Sequence, residues 1–274
     1  MYVKTLNGLS LNGAWQMQLR LYVSWIVGSA AAFLFTGDSL LTYPSLLLTI
    51  HLVSVIAVVI FALSRQKENF TLIPKINISL ETFLLAFSMA LALVVVKDAV
   101  GYLLPLPEWK ELAFTSVNTS SFYTILTTVM LAAIMEEMLF RGIIMEALLH
   151  RYSGGVALLQ SSLLFTLAHP DPAQMPGAFL LGLLCGFFYL RLRDLCSCFL
   201  IHLTNNAATA ILISGGSLQF VITDPTTYYM IVSCCVLALV AGYFLLKRFT
   251  IHVKPHSYLS KEHIRAKSVL FSEQ

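Results

Sequence analysis

The stretch SFYTILTTVMLAAIMEEMLFRGIIMEALL, residues 121–149, decides how this chain is read. It exceeds the roughly 20 residues that cross about 30 Å of hydrocarbon as a helix. Yet Glu136, Glu137 and Arg141 fall near its middle, and Glu146 lies towards its far end. Ionisable groups at mid-membrane depth are costly unless they meet partners or line a wet cavity. The stretch therefore predicts a membrane helix whose neighbours supply polar company.

Comparable apolar runs occupy 21–36, 40–63, 80–104, 156–169, 177–192, 195–214 and 227–246. Together they predict an all-α, polytopic membrane helix bundle of about eight transmembrane helices. Composition agrees: 58% of residues are hydrophobic and 11% charged, against about 25% charged in ordinary soluble domains. The apolar run at 21–36 continues through Phe33, Leu34 and Phe35 beyond the small residues Ala30 to Ala32, so it reads as a membrane helix and not as a cleaved signal.

Basic residues orient the bundle, because cytoplasmic loops and ends carry the excess of Lys and Arg. With the N-terminus inside, Lys4, Arg20, Arg65, Lys67, Lys75, Arg151, Arg191, Arg193 and the basic tail from Lys247 to Lys267 fall on the inner side, and only Lys97 and Lys110 outside. The expectation is a multi-pass protein of the cell membrane with both termini cytoplasmic. The net charge of +3 follows from that asymmetry and speaks for lipid headgroups, not nucleic acid. The five cysteines form no CxxC pair, so they read as small apolar residues and not as a disulfide or zinc framework.

No repeat or long linker divides the chain, so 1–274 reads as a single membrane domain with a helical core at about 121–214 and a basic cytoplasmic tail at 247–274. Segments 64–78 and 105–120 mix proline and charge and read as interfacial loops. The run at 156–169 is too short for a full crossing and ends at His169 and Pro170. An end at that depth is tolerable only where backbone is buried in protein or lines a cavity.

Glu137 and Arg141 stand four residues apart with the acid first, the spacing of an ion pair on one helix face. Glu136 points about 100° away. It needs company from another helix and is the carboxylate left to exchange a proton. Counted from the inner helix ends, Glu136 and His169 lie at similar depths, roughly 20 Å in, so they can meet. His202 and Asn206 share one face of a later helix, and Asn205 competes with Asn206 for any role. Gly182 and Gly186 read as a close-packing seam. His51, Lys97 and Asp98 read as weaker candidates, with Lys97 snorkelling outwards, and Glu146 as interfacial.

Taken together, EEMLFR at 136–141, FTLAH at 165–169 and HLTNN at 202–206 resemble the EExxxR, FxxxH and HxxxN motifs of the CAAX protease and bacteriocin-processing family of intramembrane glutamic endopeptidases. The resemblance covers roughly 128–210, and no motif is matched in the first three helices. It implies that Glu136 and His169 activate a water, that His202 and Asn206 stabilise the oxyanion, and that Glu137 and Arg141 support the site. It further implies a peptide or protein substrate, lipidated or not, and no cofactor. HExxH and GxSxG motifs are absent from the sequence, although two histidines and a carboxylate from separate helices also suit zinc. A scaffold or bacteriocin-immunity protein of the same fold is the alternative to an enzyme. A transporter would call for inverted repeats or paired broken helices, and none is found.

Overall fold

Side-chain caps start four of the helices. Ser10, Ser79, Ser153 and Asp224 accept from the backbone N–H of Gly13, Thr82, Val156 and Thr227 respectively, satisfying donors that a helix start leaves without an intrahelical acceptor. The structure, a computed structural model, describes residues 9–37, 44–64, 78–104, 106, 130–169, 171–215, 222 and 224–250. The described residues form eight helices and no strand. These are α1 (Leu11–Thr36), α2 (Pro44–Ser64), α3 (Leu80–Leu103), α4 (132–149), α5 (Gly154–Leu167), α6 (Met175–Leu192), α7 (Leu195–Gly215) and α8 (Pro225–Phe249).

Six of them, α1, α2, α3, α6, α7 and α8, are long and apolar enough to cross a membrane, and α5 is a shorter apolar helix. The chain is thus an all-helical, multi-pass membrane protein. The loops carrying Lys67, Lys75 and Lys110, the N-terminal Lys4, the first part of the 121–149 run, Pro170 and the tail beyond Thr250 lie outside the described residues.

Two helices begin or end differently from the sequence expectation. Helix α1 starts ten residues before the apolar run expected at 21, capped by Ser10, and this early part buries Ala14, Met17, Gln18 and Leu21. Its far end is closed by Gly37 in the left-handed region, φ 70°, a conformation glycine adopts without steric cost. Helix α5 ends at Leu167, two residues before His169.

Packing is inside out relative to a soluble protein. Leu34, Phe35, Ile60, Leu237 and Phe244 are exposed, whereas Glu136, Glu137, Arg141, Glu146 and His202 are buried. Apolar surface of that extent suits lipid contact. Helix α4 runs through the middle, packed by α2, α5, α6 and α7, while α3 packs on α7 and α8, and α1 on α2. Within α4 the α-helical turns Ala132–Glu137 and Glu146–Leu149 flank a π-helical stretch, Met138–Met145. The wider π turn begins directly after the two glutamates, and such interruptions are frequent at functional positions. Ser161 of α5 donates to the Phe140 carbonyl at 2.9 Å, giving a partner to a carbonyl inside that stretch.

Gly182 and Gly186 lie at the α5–α6 seam, as their spacing suggests. A Cβ on Gly186 would stand 2.5 Å from Leu158 Cδ1, and one on Gly182 3.2 Å from the Ser162 backbone. The described cysteines are all free, and Cys185 and Cys198 each direct Sγ at the other's carbonyl, joining α6 to α7.

Candidate active site

The ion pair expected within α4 is present and fully buried. Arg141 Nη1 donates to Glu137 Oε1 at 2.7 Å, and both side chains are 0% exposed. The guanidinium is held at two further points: Nη2 donates to the Gly182 carbonyl at 3.0 Å, and Cζ stands 4.5 Å over the Phe165 ring. Gly182 therefore has a second role, offering its carbonyl to the arginine where a bulkier residue would push the helices apart.

Glu137 Oε1 also accepts from Nδ1 of His202 at 2.8 Å. One oxygen thus orients the imidazole of α7 and binds the guanidinium of α4. With Nδ1 committed, Nε2 of His202 faces Glu136 Oε2 at 3.9 Å. His169 arrives from the end of α5 in matching fashion. Its Nδ1 donates to the Phe165 carbonyl at 2.9 Å, and its Nε2 stands 3.9 Å from the same Oε2. A carbonyl can only accept, so neutral His169 carries its proton on Nδ1 and a lone pair on Nε2.

Phe165 organises the cluster. Its ring meets His169 at 4.8 Å and His202 at 5.6 Å between centroids, and Phe140 edge-on at 5.3 Å. The first residue of the FxxxH spacing is the common packing surface for both imidazoles and the arginine.

Three positions differ from their sequence reading. His51, on α2, donates from Nε2 to Glu136 Oε1 at 3.0 Å, so the partner that Glu136 requires comes from a helix without a recognised motif. Lys97 turns inwards, not towards the outer interface: Nζ donates to Asn205 Oδ1 at 3.0 Å, and its stem occupies the space left by Gly177. Asn205 in turn donates from Nδ2 to Asn206 Oδ1 at 3.2 Å, so the two asparagines act as a linked pair with Asn205 the more buried. Glu146 is buried within the bundle and has partners on neighbouring elements. It accepts from Tyr189 Oη at 2.6 Å and from Arg193, whose φ of 55° closes α6. Helical periodicity carries no signal for these cross-helix partners; only the presence of ionisable residues inside apolar runs marks them.

Around Glu136, then, one carboxylate oxygen is taken by His51 and the other faces two imidazole nitrogens. Oε2 is buried and accepts no hydrogen bond among the described residues. Residues 118–208 match the family described as type II CAAX prenyl endopeptidase Rce1-like. The matched Rce1-like segment contains Glu136, Glu137, Arg141, His169, His202, Asn205 and Asn206; His51 and Lys97 precede it. It supports a CAAX-type intramembrane protease acting on peptide substrates. No curated protein and no solved structure matches the chain. Among the described residues no group of three or more His, Cys, Asp and Glu side chains is disposed to hold a metal ion.

Proposed function

We propose that the chain is an intramembrane endopeptidase that hydrolyses peptide bonds of membrane-bound or membrane-proximal peptides with a water activated by Glu136 and His169. The observation that carries this reading is the placement of Glu136 Oε2 at 3.9 Å from Nε2 of both His169 and His202. That spacing is too long for a direct hydrogen bond and suits one water at about 2.8 Å from Oε2 and from His169 Nε2. The water donates one hydrogen to each, which directs an oxygen lone pair at a substrate carbonyl.

Attack forms the bond from water oxygen to carbonyl carbon, and Glu136 takes the proton. The tetrahedral intermediate collapses by breaking the C–N bond. Glu136 then returns its proton to the departing nitrogen, leaving a carboxylate and an amine. His202 donates to a negative oxygen only when its ring is doubly protonated, because Nδ1–H is already given to Glu137. Asn206, one turn beyond His202 on α7, would supply the second donor from its side-chain amide. A well-placed donor of this kind typically contributes about 2.7–4 kcal/mol to transition-state stabilisation.

The test is cleavage by purified protein in proteoliposomes. Glu136→Gln should abolish turnover with folding intact, His169→Ala should come close to it, and loss of His202 or Asn206 should leave more residual activity. One equivalent of bound zinc, with activity lost to a chelator and restored by metal, would replace the water-activation chemistry while keeping the site. Undiminished biological function in Glu136→Gln would instead support a scaffold.

A further inference from the structure

We infer that His51 is a positioning residue for Glu136, so that a helix outside the Rce1-like segment completes the active site. The inference rests on the endopeptidase reading. His51 reaches the carboxylate on the edge opposite the reacting side: its Nε2 meets Oε1 at 3.0 Å, whereas the imidazoles of His169 and His202 face Oε2. It therefore does not touch the water between Oε2 and His169.

Its effect is on which oxygen that water meets. The terminal torsion of a glutamate is broad and nearly two-fold, so a carboxylate bound at neither oxygen samples orientations that leave the water on His169 without its second acceptor. Donation from His51 to Oε1 fixes the carboxylate plane and leaves Oε2 as the acceptor between the two imidazoles.

The packing beneath His51 holds it in place. Its neighbour Ile50 is buried against α1, where Gly28 is so close that an added Cβ would lie 2.8 Å from Ile50 Cγ2. Helix α2 also packs along both the α-helical and the π-helical parts of α4. The first two helices thus set the height at which His51 meets Glu136. Sequence spacing within the later helices cannot reveal this.

The experiment uses the full chain in proteoliposomes with a fluorogenic, prenylated peptide ending in a CAAX sequence. His51→Ala should lower kcat roughly 10- to 100-fold, the size expected for losing a hydrogen bond to a charged group, with KM within about twofold of wild type. His51→Gln, which places an amide N–H near the position of Nε2, should recover most of the loss. Wild-type rates in His51→Ala, or a loss that Gln leaves untouched while the protein stays folded, would overturn the inference. Absence of wild-type turnover would count against a prenylated CAAX peptide as the substrate. In that case the inference is judged by the 15N shifts of His51 in histidine-labelled protein. Glu136→Ala should move the His51 Nε2 signal, and an unmoved signal would refute the contact.

Discussion

Replacing Arg141 with alanine should unfold much of the protein before chemistry is even tested. The side chain is fully buried, and its removal leaves Glu137 facing His202 alone, leaves the Gly182 carbonyl without its donor, and uncovers the Phe165 ring. Breaking a buried ion pair from one side costs about 3–5 kcal/mol. The carbonyl and the lost cation–π contact add to that, each by about 1–2 kcal/mol and not additively. Against a total stability of about 5–15 kcal/mol for a typical domain, such a loss reaches the margin. Arg141→Lys should be intermediate, because lysine keeps the charge but cannot span Glu137 and Gly182 as a planar fork. Combining Arg141→Met with Glu137→Gln should recover part of the stability of either single variant, since no unpaired charge is then left in the bundle. The assay is the yield of monodisperse protein in detergent and its thermal midpoint, read beside activity. An Arg141→Ala protein recovered in wild-type amount with an unchanged midpoint, but inactive, would refute a supporting role and put the guanidinium in the chemistry.

Two further outcomes follow from the same geometry. Phe165→Ala should cost about 3–5 kcal/mol as a large-to-small core change and lower activity further by freeing both imidazoles, whereas Phe165→Leu should keep more of the stability than of the turnover; equal retention of both would argue against an organising role for the ring. Reporter fusions at positions 10 and 260 should both give cytoplasmic signals, and opposite locations would mean an odd number of crossings and undo the shared depth assigned to Glu136 and His169.

The bundle was legible because hydrocarbon imposes long apolar runs, and the described helices fall on the runs identified at 40–63, 80–104, 177–192 and 195–214 with small shifts at their ends. The Glu137–Arg141 pair was legible because four-residue spacing on a helix is a geometric statement. The approach of His169 to Glu136 followed from equal depth. What stayed hidden depends on rotation and contact between helices. His51 and Lys97 carry the same residue types whether they face lipid or a partner, and only packing of α2 on α4 and α3 on α7 turns them inwards. The π turn after Glu137 leaves no compositional mark at all, and the early start of α1 was masked by Gln16, Gln18 and Arg20 interrupting the apolar count. Glu146 lies near a helix end, and its partners Tyr189 and Arg193 come from α6 and the residue that closes it, which spacing within α4 does not show.

The most direct test of Glu136-centred hydrolysis is to follow membrane peptides by mass spectrometry in H2(18)O, comparing cells that carry the wild-type protein with cells that carry Glu136→Gln at equal abundance. Hydrolysis by an activated water predicts a set of peptides whose new C-terminal carboxyl holds one heavy oxygen, present with the wild type and missing with the variant. Identical labelled peptides in both membranes would contradict the account.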